Sequence, residues 1–287
     1  MTSSGRIEGS VDGIGSTADR ASGTPEGFAA PRRRKPGERG RNVVLVLLLF
    51  AALLLATYWE GYLALISWPF GLCLAGGFGL AIWLAMRTST ARMAALLLSI
   101  FFIEYAKETI GIRSGLWVYH GIRGQYVFGV LAWVVGGVSA HALSTGVAIP
   151  LLRRLALNPP RWLGSLLLLG LFGLVPLTLG PYRAGTGILF WSFYALLLVA
   201  TLTATLRMPF SVFGAIVVCA WVVGNPSEFL GSASSGAWTF THNRNYPPFF
   251  LLASCWPLEI LAQYSLSAFL AGEPLDEKAP PAKGISP

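Results

Sequence analysis

Eight apolar segments follow one another at about 43–59, 64–86, 93–110, 126–152, 162–180, 186–206, 209–227 and 248–270. About 20 helical residues cross the ~30 Å hydrocarbon core of a bilayer. Backbone groups in lipid must be bonded internally, which favours helices. The pattern predicts an all-α polytopic membrane protein of about eight transmembrane helices. Composition agrees: 12% of the 287 residues are charged, 54% are hydrophobic and mean hydropathy is +0.61. A soluble domain carries roughly 25% charge.

Residues 1–41 are rich in Gly, Ser, Pro and Arg without hydrophobic period, and read as a disordered basic tail. Residues 271–287 read as a second disordered tail, leaving 42–270 as the membrane domain. Arg32, Arg33, Arg34, Lys35, Arg39 and Arg41 precede the first apolar run and suit a cytoplasmic anchor against anionic lipid. With the N-terminus inside, 16 Lys and Arg fall on the cytoplasmic side and 5 on the other. This bias predicts a multi-pass cell-membrane protein with both termini in the cytoplasm. The net charge of +8 is distributed as topology signals are, so no nucleic-acid partner is expected. Cys73, Cys219 and Cys255 lie in apolar runs, far apart, and read as small core hydrophobes.

Two stretches resemble each other. Glu108-Thr-Ile-Gly111 continues to Gly115, Trp117, Tyr119 and His120; Glu228-Phe-Leu-Gly231 continues to Gly236, Trp238, Phe240 and His242. Each follows one apolar segment and precedes another, on the same expected side. This suggests two parallel four-helix repeats, about 43–152 and 162–270. Interrupted apolar segments at corresponding places in two halves point to a membrane binding site.

Polar chemistry in residues 42–270 is scarce. There is no aspartate; the carboxylates are Glu60, Glu104, Glu108, Glu228 and Glu259, and the histidines His120, His141 and His242. Aspartate-rich motifs that hold pyrophosphate through magnesium are absent. So are the many histidines of di-iron membrane oxygenases, a Walker loop and the aspartate of a serine triad. No metal or cofactor is expected. An intramembrane ionisable group is costly and by default functional. Glu104 and Glu108, at i and i+4, share a helix face and would titrate as a pair, with Lys107 able to neutralise Glu104. Glu228 follows a helix break at Asn225-Pro226-Ser227, and Glu259 sits inside an apolar run. These four glutamates are the candidate catalytic residues. Glu60, in a tight turn, reads as surface. His141, among Ser139, Ala140 and Ala142, reads as a hydrogen-bonded structural residue or as a proton shuttle. Trp117, Tyr119, His120 and Trp133 in one half, with Trp238, Phe240, His242 and Trp256 in the other, are candidate substrate-binding residues. The aromatic rings fit either an interfacial belt or a π-walled pocket that attracts positive charge.

A buried carboxylic acid can protonate an alkene or epoxide while aromatic walls shield the cation formed. Glu108, Gly111, Gly115 and Tyr119, set between two apolar segments, resemble the integral-membrane carotenoid biosynthesis family that includes bisanhydrobacterioruberin hydratase. Gly236 to Phe240, with Pro257-Leu258-Glu259, is similar to the membrane-type lycopene cyclases. Those cyclases would carry a Glu-Glu pair after proline; here Ile260 follows Glu259. The resemblance covers about 104–145 and 228–262. It implies acid-initiated hydration or cyclisation of a polyene or terpene, making the expected partners a lipid-soluble isoprenoid substrate and membrane lipid. A proton-coupled small-solute transporter and a non-catalytic membrane assembly subunit are the competing readings.

Overall fold

The computed structural model describes residues 37–155 and 159–275, and its regular structure is almost wholly helical. The tail residues 1–36 and 276–287, with Arg32 to Lys35, lie outside the described residues. Helix α1 spans Glu38–Trp59, so residues 38–41, expected in the tail, form its first turn. The other helices are α2 Trp68–Ala85, α3 Thr90–Arg113, α4 Val127–Leu143, α5 Ile149–Arg154, α6 Trp162–Thr178, α7 Ile188–Thr205, α8 Phe210–Phe229 and α9 Trp256–Ala271.

Local chemistry explains several ends. Ser67 precedes Trp68-Pro69, and proline is tolerated in a helix's first turn. Its position delays α2 to Trp68 rather than 64. The Ser89 hydroxyl accepts from Arg92 N at 3.1 Å and caps α3. Pro226 does not end α8: the helix runs through it to Phe229 and widens into a π-turn, Leu230–Ser234. Further π-turns join α4 to α5 at Ser144–Ala148 and lead into α9 at Leu251–Cys255. Such turns free backbone groups and collect at functional sites.

Among the described residues, five helices are long and apolar enough to cross a membrane: Glu38–Trp59, Trp68–Ala85, Val127–Arg154, Ile188–Thr205 and Phe210–Ser234. Helix α6 is apolar but shorter. The two that hydropathy passes over, α3 and α9, are the polar ones: α3 carries Glu104, Lys107 and Glu108, and α9 carries Glu259 and Gln263. They pack against each other, and α9 also packs against α4, α7 and α8. Every residue from Trp256 to Ser265 is buried, whereas α1, α2 and α7 expose rows of large apolar side chains. The polar residues of α3 and α9 are thus turned inward, while α3 presents Leu98, Phe101, Phe102 and Tyr105 outward, as the cost of polar groups in hydrocarbon demands.

Among the described residues there is one sheet, two three-residue strands. β1 (Trp117–Tyr119) pairs antiparallel with β2 (Trp238–Phe240), in the register Trp117 to Phe240, Val118 to Thr239 and Tyr119 to Trp238. The two similar stretches of sequence are therefore each other's partners.

Candidate acid centre

Residues 104, 107 and 108 fall on one face of α3 because i+3 and i+4 neighbours are aligned on a helix. That face meets α9. Lys107 Nζ lies 2.5 Å from Glu104 Oε2, 3.5 Å from Glu259 Oε2 and 3.6 Å from Glu108 Oε1. The ammonium also sits over two indoles, 4.9 Å from the Trp133 ring centroid and 5.1 Å from that of Trp256. These are favourable cation–π positions. Glu228 completes the set from α8. None of the five ionisable side chains is more than 3% exposed.

Neutral donors hold the carboxylates. Trp117 Nε1 donates to Glu108 Oε2 at 2.8 Å, and the Tyr119 hydroxyl faces the same carboxyl. Trp238 Nε1 and Trp256 Nε1 donate to the two oxygens of Glu228, each at 3.2 Å. Gln263 Nε2 donates to Glu104 Oε1 at 2.9 Å, and the Tyr194 hydroxyl to Glu259 Oε1 at 3.0 Å. Taking an ion out of water costs several kcal/mol, recovered only with good geometry and satisfied hydrogen bonds. Here Lys107 and six donors supply them.

The ribbon explains how two distant stretches deliver matched glutamates. In each arm a Glu is followed three residues later by a Gly whose Cα lies against the indole of the same arm. A Cβ on Gly111 would collide with Trp117, and one on Gly231 with Trp238. The chain then reverses at a second glycine with positive φ, +64° at Gly115 and +62° at Gly236, a conformation costly to residues with a Cβ. Leu116 N donates to Gly111 O, and Ala237 N to Gly231 O, both at 2.9 Å. The arms are then cross-tied: His120 N donates to Ala237 O and Thr241 N to Leu116 O. Each fold-back returns an indole N–H to the glutamate that began it.

The aromatic residues proposed from sequence divide. Trp117, Tyr119, Trp133, Trp238 and Trp256 surround the carboxylates. Trp133 lies 5.0 Å from Trp238 and 5.2 Å from Trp256 between centroids, and donates to the Tyr119 hydroxyl at 3.1 Å. Phe240 is buried edge-on against Trp117. His120 and His242, the other candidates for the substrate wall, stand apart from the carboxylates. Both are exposed; His120 bonds Thr239 Oγ1 at 2.7 Å, and His242 meets the ring of Tyr182. For His120 the reason is strand alternation, since Trp117 and Tyr119 are turned inward; His242 lies in the turn after β2.

Glu60 is also corrected. It is buried, and Oε2 accepts Phe128 N at 3.1 Å, satisfying a free donor in the first turn of α4. Burial pushes its carboxyl above the usual range, against the pull of backbone N–H groups of Phe128 and Val127. Tyr194 and Gln263 escape sequence reasoning. Gln263, one turn after Glu259 on the same helix face, carried a readable signal; Tyr194, a single hydroxyl in an apolar helix, did not.

Beside the centre lies an apolar groove of about 420 Å³ between α2, α4 and α8, lined by residues including Phe70, Cys73, Gly77, Trp133, Ser139 and Pro226. No carboxylate lines it; Trp133 is shared by groove and centre. The arrangement offers proton donors and acceptors in a buried, tryptophan-walled cluster next to an apolar groove. The sequence matches no protein-family model, and no curated protein or solved structure shows significant similarity to it.

Proposed function

We propose that this protein is an integral-membrane enzyme of isoprenoid metabolism that hydrates or cyclises an apolar polyene by proton-initiated chemistry. One observation carries the reading: Glu104, Glu108, Glu228 and Glu259 converge on a single buried centre with one lysine and a wall of tryptophans. Four carboxyls face one ammonium, so neutrality needs three protons. A net charge of minus three among side chains this deeply buried is prohibitive. The centre therefore stores protons that it can give up.

The polyene lies along the groove with its reacting end toward Trp133, whose ring is the partition to be turned aside. A carboxyl proton passes to the less substituted carbon of an end double bond, and a tertiary cation forms. Trp133, Trp238 and Trp256 stabilise it through their π faces. In hydration, water adds to the cation and loses a proton to the waiting carboxylate. In cyclisation, a neighbouring double bond adds instead, and a C–H proton returns to the carboxylate. Either way the centre ends as it began. Glu108 and Glu228, each held by the indole of its own arm, are the leading proton-transfer groups; Glu104, Glu259 and Lys107 set the charge around them.

The membrane arrangement proposed with this reading has eight spans, α4 and α5 forming one, and both termini in the cytoplasm. The Lys and Arg bias supports it, as do the buried polar face of α3 and its exposed apolar one. Two parallel four-helix repeats are supported by the matched fold-backs and their mutual pairing.

The test is lipid extraction, with mass spectrometry of terpenes and pigments, from cells carrying the protein or its Glu108→Gln and Glu228→Gln variants. A positioned acid or base contributes about 10²–10⁴-fold, so each variant should lose its isoprenoid product while reaching the membrane normally. Product at the parent level in both variants would overturn the assignment.

A further inference from the structure

One buried titratable group plays no part in this chemistry. His141, on α4, is 2% exposed, and neither ring nitrogen makes a hydrogen bond of regular geometry within the protein. Leaving such groups unsatisfied costs about 1–3 kcal/mol each. A merely structural histidine would have its partners built in.

Its surroundings give it a direction. The imidazole stacks on the ring of Tyr264, 5.9 Å between centroids, and faces the amide of Gln263. Gln263 Oε1 is likewise buried and unbonded. It lies against Gly137, one helical turn before His141, where a Cβ would come within 3.0 Å of it. The other end of the amide is engaged, Nε2 donating to Glu104. Over Tyr264 stands Arg92, half-buried in the first turn of α3, its guanidinium 4.9 Å from the tyrosine ring and bonded to Tyr264 O. Arg92 is the charged group acting on His141; Tyr264 and Gln263 of α9 cover its ring, and Glu104 lies beyond Gln263. A file of polar side chains thus runs from the start of α3, through His141 and Gln263, to Glu104 and Lys107.

Resting on the acid-centre reading, we propose that His141 is the proton relay between the buried centre and the end of the bundle where Arg92 stands. The imidazole takes a proton from the aqueous end on one nitrogen and releases one from the other. A single water molecule, accepted between the imidazole and Gln263 Oε1, passes it to the Glu104 carboxylate. One ring nitrogen, Gln263 Oε1 and the Glu104 carboxylate give that water the two to four partners it needs. Gln263 carries no excess proton; its amide orients Glu104 and the water together. Histidine suits the role because its ordinary pKa lies near neutrality. His141 touches no substrate in this scheme, so it restores the centre's protons rather than performing the chemistry.

The experiment follows the carbonyl stretch of protonated carboxyl groups by infrared spectroscopy, with the full chain in lipid nanodiscs transferred to deuterated buffer. That band shifts when the acid proton exchanges. In the parent protein the shift is expected to be fast. In His141→Gln, which keeps polarity but cannot relay, it should slow at least about tenfold, against the ~10²-fold typical of a positioned proton-transfer group. His141→Leu should match it, with helicity and thermal unfolding recorded to show that both variants fold. Exchange at the parent rate in His141→Gln would overturn the relay and leave the acid centre standing. Absence of the band in the parent would instead overturn the proton-storing centre, and the relay with it.

Discussion

In the arm from Glu108 to Tyr119, the indole of Trp133 donates to a tyrosine hydroxyl that itself faces the glutamate. In the arm from Glu228 to Phe240 that oxygen is missing, and the indole of Trp256 donates to the glutamate directly. The arms share their fold-back, their glycines and their first tryptophan, yet differ in what surrounds the carboxyl. Aligned on the glutamates, Lys107 corresponds to Ser227 and Glu104 to Gly224. Ser227 Oγ spends its hydrogen bond on its own helix, donating to Val223 O, and Gly224 makes room for the Trp256 ring. Aligned on the second tryptophans, Glu259 corresponds to Gly136 and Gln263 to Ala140. Charge is therefore concentrated on α3, while α8 and α9 contribute one carboxyl each and α4 contributes aromatic surface and small residues. One lysine serves both arms because only one arm carries it.

The sharpest way to break this asymmetry is Lys107→Met, paired with Ser227→Ala at the corresponding position. Removing one member of a buried charge network costs about 3–5 kcal/mol, so denaturant titration in detergent should show a large loss for the first. The second removes only a hydroxyl bonded within its helix and should stay within about 1 kcal/mol. Equal losses would mean that Lys107 is not the shared counter-charge.

Where the arms are alike, matched changes should act alike. Gly111→Ala and Gly231→Ala each drive a methyl into an indole, and overpacking costs about 1–3 kcal/mol. Both should lower thermal stability by similar amounts and loosen the indole bond to the adjacent glutamate, read as a shift in tryptophan fluorescence. A cost in one arm alone would show that the fold-backs are not equivalent.

The hydroxyl difference is smaller. Tyr119→Phe makes the first arm resemble the second and removes one acceptor, worth about 1 kcal/mol. Fluorescence of the Trp133 indole should respond, because its N–H loses its partner. If neither stability nor fluorescence moves, the hydroxyl is not part of the network.

Glu60 offers the weakest effect and a clear sign. Its folded pKa is raised by burial from 4.5. As pH rises, the unfolded chain releases this proton first, so the stability contribution is full below the unfolded value and is lost as pH rises through the folded one. Replacing Glu60 by Gln should remove that part of the pH dependence of the melting temperature. An unchanged slope would place the dependence elsewhere.

The legible part of this centre was its charge. Carboxylates in apolar runs are scarce enough that Glu104, Glu108, Glu228 and Glu259 stood out, and the i, i+3, i+4 spacing tied Lys107 to two of them. The tryptophans were legible through the recurrence of the motif. Of the neutral donors, Gln263 was legible only by its place one turn after Glu259, and Tyr194 was not, since a tyrosine in an apolar helix excites no strong expectation. The outward turn of His120 was not legible, because a three-residue strand leaves almost no sequence pattern and only its alternation sets the direction. Hydropathy passes over α3 and α9 because they carry the polar residues of the centre.

The central claim is that both arms meet as one ribbon above one centre. Val118 and Thr239 are its middle pair, at a position where opposed Cα atoms lie about 5.5 Å apart, within disulfide reach. With Cys73, Cys219 and Cys255 replaced by alanine, the Val118→Cys, Thr239→Cys double variant should close an intramolecular disulfide under mild oxidation in the membrane. Two thiols that stay free and label independently with maleimide would contradict it.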